Sequence, residues 1–290
     1  MRYGARAIAE HDRQASVRES DSAELAARIL ELRGPDWYEY ELCRVGHGSY
    51  VERNLRAVLF EFADQIDFVG ARVLDFGCGA GASTIVLGRL LPEASFVGVD
   101  LHEDALEVAR LRVAHHGVEA EFLRSPGPLE LPELPGPDFD HVVLNAVWEH
   151  MLPDERPLLL GRLLDVLRPD GLLFVSETPP RWWPVEAHTT GLPLLNYLPR
   201  PLAHWAARRS PRLSGEETWE ELLRGGFRGG SVRELRKLAA GRAALVPPKH
   251  GSYGRAWFAN VPHKPPVWVK KLVAYSGVNP SVSLALRKLP

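Results

Sequence analysis

Between Tyr50 and Ile66 the apolar residues Leu55, Val58, Leu59, Phe62 and Ile66 recur at spacings of three and four, which predicts a helix laying one face on a sheet. Beyond Arg72 the period changes. Short β-branched runs now alternate with helical stretches: a strand opening at Arg72, a helix over 82–91 stopped by Pro92, a strand over 95–100, a helix over 103–116 stopped by Gly117, and a strand over 119–123. A proline-rich connection from Ser125 to Pro137 leads to a strand over Phe139–Asn145, a helix over 153–168, the turn Leu167–Gly171 and a strand over Leu172–Glu177. Such alternation demands crossover connections, so it predicts an α/β fold, a doubly wound parallel sheet with helices on both faces.

The flanks read differently. Residues 1–49 are polar and mixed, with a helix over Ser22–Leu32 and an aromatic stretch Trp37–Tyr40, and they stand as an N-terminal helical and loop extension. Gly46-His-Gly-Ser-Tyr50 has the composition of a connector, with a lid over a ligand as the alternative. From Thr178 to Leu213, Trp182, Trp183, Tyr197 and Trp205 stand among prolines, which suits a cap over strand ends better than another crossover helix. One domain over 50–290 is expected, with a core over 70–177, a cap insertion after the fifth strand over 178–215 and C-terminal elements over 216–290. In that last part helices are predicted over 216–224 and 231–239, an apolar run at Ala243–Val246, and a strictly alternating strand over Ser281–Arg287.

Candidate chemistry concentrates at Val73-Leu-Asp-Phe-Gly-Cys-Gly-Ala-Gly-Ala-Ser-Thr84, where a strand end runs through Asp75 into glycines and then a helix. Gly77 and Gly79 permit positive φ and close backbone approach, and Gly81 permits close packing of the following helix. Gly77-x-Gly79-x-x-Ala82 alone also satisfies a dinucleotide fingerprint, so the distinction rests on Asp75. A carboxylate there repels a pyrophosphate and attracts an ammonium. The stretch matches all four fixed positions of Asp/Glu-x-Gly-x-Gly-x-Gly and resembles motif I of the class I S-adenosylmethionine-dependent methyltransferases. Phe139-Asp140 before the fourth strand and Arg168-Pro-Asp-Gly171 before the fifth are also similar to that family, so the resemblance covers residues 50–180. It implies a Rossmann-like, seven-stranded, mainly parallel sheet whose final strand inserts antiparallel between the fifth and sixth, S-adenosylmethionine as cofactor, and methyl transfer as activity. Ser281–Arg287 is well placed to be that strand.

On this reading Asp75 holds the methionine ammonium, while Gly77, Cys78, Gly79 and Gly81 form the loop. Asp100 ends the run Ser95–Asp100, where an α/β nucleotide fold places the carboxylate for ribose hydroxyls. The resemblance implies that Leu101 packs on the adenine, with ordinary core packing at a strand end as the competing role. It also marks a departure, because relatives often carry an acid for the adenine amino group where this chain has Ser125 followed by Pro126. Asn145, at the carboxyl end of the fourth strand, completes the cofactor set.

Open α/β sheets bind ligands beyond the carboxyl ends of their strands, which brings forward Asn145–His150, Glu177–Thr190 and the cap for the acceptor. His150 is the first candidate for a general base, with Glu149 beside it; capping or bonding of the adjacent loop is the competing role for both. Glu186-Ala-His-Thr-Thr-Gly191 offers His188 as a base or acceptor ligand, against a loop-stabilising histidine. Trp182 and Trp183 suit stacking on a sugar or aromatic ring, or packing under the cap.

Composition narrows the partners. The chain has 290 residues and a net charge of −2, but residues 1–180 hold 17 arginines, no lysine and 31 acids, whereas residues 181–290 hold 18 basic and 6 acidic side chains. A basic second half faces an anion or attracts the acidic half. Cys43 and Cys78 make no disulfide framework, no Cys/His cluster has metal spacing, and neither a signal-type apolar core nor an 18-residue apolar run is present. A cytoplasmic protein without a metal is expected, with Trp268–Tyr275 a helix packed on the domain with solvated lysines or, being short and amphipathic, a segment resting peripherally on a lipid surface. The expected function is transfer of a methyl group to a hydroxyl of a small polar metabolite, glycan or lipid-linked intermediate. An RNA acceptor is the alternative suggested by the basic half; no RNA-binding module supports it, and Asn145 precedes Ala146 and Val147 rather than an Asn-Pro-Pro-Tyr type motif. A cofactor-binding module without catalysis is the third reading.

Overall fold

The computed structural model describes residues 22–62, 68–136, 138–246 and 282–290. Its main strands are β1 (Arg72–Phe76), β2 (Ser95–Asp100), β3 (Ala120–Arg124), β4 (Phe139–Asn145) and β5 (Leu167–Thr178), a two-residue pair β6 (Val185–Glu186) and β7 (Leu192–Pro193), then β8 (Ala243–Val246) and β9 (Val282–Lys288). Seven of them form one sheet in the order β3-β2-β1-β4-β5-β9-β8. β1 to β5 pair in parallel, and β9 runs antiparallel to both β5 and β8, so the expected insertion of the last strand is present. The winding direction reverses between β1 and β4, and the crevice past their carboxyl ends is where such sheets take ligands.

Period-two alternation divides each strand between two cores. Leu74, Val142 and Leu144 face one side, against Leu159, Leu160, Leu163 and Leu164 of helix α6 (Arg156–Asp165). Val73, Val143 and Phe174 face the other, against Val51, Leu55, Val58 and Phe62 of α3 (Tyr50–Phe62) and Val86 and Leu87 of α4 (Ala82–Leu90). The helix α5 (Glu103–His116) ends at Gly117, whose φ of 65° is the left-handed C-cap that a glycine adopts at least cost. Several boundaries differ from expectation by a few residues, two of them for a visible reason. α6 begins at Arg156 rather than 153, because Pro157 belongs in a first helical turn. β5 begins at Leu167, and residues 168–171 bulge from it: pairing with β4 jumps from Phe139↔Leu167 to His141↔Leu172, with Asp170 at φ 61°.

Two helices precede α3: α1 (Ala23–Arg33), whose N-cap Ser22 accepts the Leu25 N–H, and α2 (Pro35–Leu42). Arg112 on α5 ties them to the glycine loop. Its guanidinium is fully buried and donates to the Glu41 carboxylate at 3.0 Å, the Glu41 carbonyl at 2.8 Å and the Ala80 carbonyl at 2.9 Å. After β5 the chain forms the cap, with the β6–β7 pair, α7 (Arg200–Ala207) and α8 (Trp219–Arg224), before α9 (Val232–Leu238). The cap has a small core of its own: Leu195, Ala203 and Ala207 pack with Leu222 and Phe227. It therefore extends past 215, to the bridge where Gly230 returns beside Pro180. Among the described residues no helix is long and apolar enough to cross a membrane. The amphipathic stretch Trp268–Tyr275 lies outside the described residues.

Removing one member of a buried ion pair strands the other without a partner. Arg112→Ala is expected to lower stability by about 3–5 kcal/mol, measured by urea denaturation, with a loss under about 1 kcal/mol counting against the network as a structural tie.

Candidate active site

Gly77, Gly79 and Gly81 all have positive φ, at 75°, 55° and 77°. Their surroundings separate their roles. A Cβ on Gly77 would stand 2.5 Å from Val147 Cγ2 and one on Gly81 2.9 Å from Ala109 Cβ, whereas nothing lies within 4 Å of the same point on Gly79. Gly77 and Gly81 thus permit packing, and Gly79 leaves bare backbone beside open space. Asp75 is buried at the end of β1. Its Oδ2 accepts the hydroxyls of Ser83 and Thr84, both at 2.6 Å, while the equally buried Oδ1 has no partner. Burial raises its pKa, so a cation beside Oδ1 would restore what desolvation costs the carboxylate.

Asp100 lies across the loop from Asp75. Its Oδ2 accepts the Gly79 N–H at 2.8 Å and its Oδ1 the His102 N–H at 3.0 Å, so it stitches the glycine loop to β2. Each carboxylate oxygen keeps a further lone pair for a hydroxyl. Leu101 follows, half-buried. The side chains of the remaining cofactor candidates make contacts within the protein. Cys78 enters the loop through its backbone alone: its side chain packs with Leu106, Ala109 and Phe122, and burial pushes the thiol pKa well up. The Ser125 hydroxyl bonds the Gly127 and Glu130 carbonyls and so holds its own turn. Asn145 accepts the Ser176 hydroxyl at 2.7 Å and donates to Glu177 at 3.2 Å, which ties the ends of β4 and β5 together.

Beyond these strand ends lies a cluster of titratable groups. Glu149, fully buried, accepts the Thr178 hydroxyl on Oε2 at 3.0 Å, and its Oε1 has no hydrogen-bond partner. His150 Nε2 stands 3.9 Å from that Oε1, and His150 Nδ1 is 2.7 Å from the Arg224 carbonyl. The His188 ring stands 5.6 Å from the His150 ring, centroid to centroid. His188 keeps an exposed edge, yet its ring is walled closely enough that desolvation lowers its pKa. The cap positions it through Glu186, whose buried carboxylate accepts the N–H groups of His188 at 3.2 Å, Thr189 at 3.1 Å and Thr190 at 2.6 Å. Glu186 is therefore the scaffold of its turn.

A family model for the methyltransferase domain matches residues 73–171. That stretch of the chain matches a methyltransferase domain. Over 122 residues it is 34% identical to the fatty-acid O-methyltransferase of Mycolicibacterium smegmatis, covering 41% of this chain and 42% of that protein. It is 33% identical over 109 residues to a ubiquinone biosynthesis O-methyltransferase of Chelativorans sp., covering 38% of this chain and 41% of that one. The chain spans less than half the length of these curated relatives. The structure of PKMT2 from Rickettsia typhi superposes with a TM-score of 0.51 at 16% identity, over 82% of this chain and 52% of that chain, a likeness in fold.

The glycine motif implies S-adenosylmethionine as cofactor, and the residues present fit it: an unpartnered buried Asp75 oxygen for an ammonium, Asp100 for hydroxyls, and bare backbone at Gly79. Two further residues bear on this site electrostatically: Arg44, which the sequence did not reveal, and Glu177, which the sequence placed only within the acceptor-side segment. Arg44, on the turn after α2, lies over the Tyr40 ring at 4.9 Å, has a buried Nε without a partner, and feels the charges of Glu41, Glu177 and Asp75. Its turn, marked in the sequence only by Gly46 and Gly48, is anchored by buried Val45 against Ala82 and Ile85 of α4. Glu177 holds a left-handed backbone, φ 61°, where a non-glycine residue costs about 1–3 kcal/mol. Burial and then the nearby Glu149 push its pKa up to about 8, against the pull of Arg44 and of the Asn145 hydrogen bond. Of the aromatic candidates, Trp182 is exposed with its ring 6.3 Å from Tyr197, and Trp183 is half-buried.

Glu177 gives a pH signature. A carboxyl whose pKa rises on folding from 4.5 to about 8 binds its proton more tightly in the folded state. Its contribution is complete below the unfolded value and lost as pH rises through about 8. Glu177→Gln is expected to flatten the fall of the thermal midpoint between about pH 5 and about pH 9. Parallel curves for the two proteins would show that Glu177 does not titrate in this way.

Proposed function

We propose that this chain transfers the methyl group of S-adenosylmethionine to a hydroxyl of a small polar metabolite, glycan or lipid-linked intermediate. The observation that carries this reading is the cluster of Glu149, His150, His188 and Glu177 past the ends of β4 and β5, beside the Asp75 and Gly79 cradle. Hydroxyl oxygen is a poor nucleophile until its proton is drawn away, and imidazole and carboxylate groups are the side chains that do so near neutral pH. The bound cofactor supplies an electrophilic methyl group on a sulfonium.

This chain's residues would do the rest. Asp75 Oδ1 takes the ammonium, Arg44 the carboxylate of the same methionine moiety, and Asp100 the ribose hydroxyls, which fixes the direction from which the methyl is presented. His150, whose Nδ1 is turned to the Arg224 carbonyl, presents Nε2 toward the acceptor side. His188 enters from the cap opposite it. Glu177, protonated at neutral pH, offers a hydrogen-bond donor rather than a charge. Two of the relatives, a fatty-acid O-methyltransferase and a ubiquinone biosynthesis O-methyltransferase, are named for oxygen methylation, which supports an oxygen acceptor, while another is named a ribosomal protein L11 methyltransferase.

The test is release of S-adenosylhomocysteine, with radiolabelled methyl groups followed into glycan, lipid, protein and RNA fractions. Label in base- and acid-stable ethers of the glycan or lipid fraction is expected. Label confined to RNA or protein, or no turnover with any fraction, would overturn the reading. Asp75→Asn keeps an acceptor for Ser83 and Thr84 but removes the counter-charge, so cofactor affinity by calorimetry is expected to fall at least about tenfold with little change in thermal midpoint.

A further inference from the structure

The geometry points to a divalent metal site: Glu149, His150 and His188 hold a first-row transition cation, and that cation binds the acceptor oxygen, the latter clause resting on the hydroxyl-methylation reading above. One ligand atom from each of the three residues lies within 4.8 Å of the other two. Their sequence spacing shows no such set, since Glu149 and His150 follow β4 whereas His188 comes from the cap. Folding alone assembles it.

Three separate observations indicate that the cluster is built for an ion. The first is Glu149 Oε1, a buried carboxylate oxygen with no hydrogen-bond partner, aimed at the two imidazoles. Leaving an acceptor unpaired in a protein interior is costly, and the Thr178 bond to Oε2 fixes which oxygen is presented. The second is the His150 tautomer. A carbonyl only accepts, so Nδ1 at 2.7 Å from the Arg224 oxygen carries a hydrogen, and Nε2 is the nitrogen left facing Glu149. A backbone carbonyl on the far nitrogen is how metal-binding imidazoles are oriented. The third is Gly226, at φ 88°: a Cβ there would stand 2.4 Å from His188 Cδ2, 2.7 Å from its Nε2 and 3.3 Å from Glu149 Cγ. Glycine at this point lets the cap histidine and the buried carboxylate share one space.

Two imidazoles and one carboxylate suit zinc, manganese, iron or cobalt better than magnesium or calcium, which prefer all-oxygen sets. Bonds of about 2.1 Å bring ligand atoms to roughly 3–3.5 Å from one another, a contraction that side-chain rotation supplies. Three protein ligands leave a position open. An acceptor hydroxyl placed there loses its proton to solvent more readily, because the cation lowers its pKa. Its oxygen then forms the new bond to the methyl carbon as the carbon–sulfur bond breaks, and that electron pair stays on the neutral thioether product.

Cobalt(II) and zinc(II) titrated into the chelator-treated full chain test this directly. One equivalent of cobalt(II) with visible ligand-field absorption is expected, displaced by zinc(II). Glu149→Gln and His188→Ala should each weaken zinc binding at least about tenfold, while His204→Ala, a cap histidine bonded to the Glu217 carbonyl, should leave it unchanged. Because Glu149 is buried, His188→Ala on the exposed turn serves as the variant least exposed to misfolding, and thermal midpoints check both. No saturable binding by the wild type, or equal binding by Glu149→Gln and His188→Ala, would overturn the site. Methyl transfer unaffected by chelation would remove the cation's role in catalysis and leave the proposed function standing. Cation binding without any methylated oxygen would do the reverse.

Discussion

A guanidinium with no surface of its own must find acceptors inside the protein, and the demands of Arg112 organise the cofactor side of this molecule. It takes one carboxylate and two carbonyls, from Glu41 and Ala80, which belong to the N-terminal helices and to the glycine loop. Burying such a charge gains little by itself; its value lies in permitting one arrangement. With α2 held against the loop, the next turn carries Arg44 over the crevice, and Val45 closes the first turn of α4. The N-terminal helices are thus packed on the glycine loop, although they lie outside the 73–171 stretch that the family model matches.

The opposite wall is made by chain segments far apart in sequence. Asn145 and Ser176 join the ends of β4 and β5, Thr178 holds Glu149, and Arg224 orients His150. Arg156 carries the bonding outward, reaching Glu234 on α9 and the Gly229 carbonyl while lying over the Trp148 ring at 5.4 Å. The cap is therefore tied to the sheet at several points near the cluster. His188 reaches the crevice because Glu186 satisfies three consecutive backbone donors, an arrangement that leaves the imidazole free of the turn that carries it.

Much of the sheet was legible because its signals are local. Val73 and Leu74 take opposite faces as a period of two requires, Gly117 stops α5 in a left-handed cap, and the alternating run near Leu284 pairs antiparallel with β5. The glycine loop was legible for the same reason, down to the packing role of Gly81 against Ala109. Legibility ended where partners are distant. Nothing near Cys78 or Ser125 in sequence indicates that the first turns into the core and the second bonds its own loop, and nothing near Arg44 indicates a buried guanidinium. Glu177 was legible as the start of an acceptor-side segment but its backbone was not, because a left-handed φ on a glutamate has no propensity signal. The cap boundary was set too early, since Leu222 and Phe227 enter its core only through tertiary packing.

The placement of β9 has a consequence for how the chain reaches this state. Residues 282–288 lie between β5 and β8, so the sheet interior is incomplete until a segment more than a hundred residues downstream of β5 has docked. Until then both neighbours present open hydrogen-bonding edges, β5 with the apolar run Leu172–Val175. Pairing over such a separation is slow, and an uncovered edge of this kind invites association with other chains. Late closure of the sheet, rather than construction of the cofactor loop, is then the step at which assembly of this protein is most open to error.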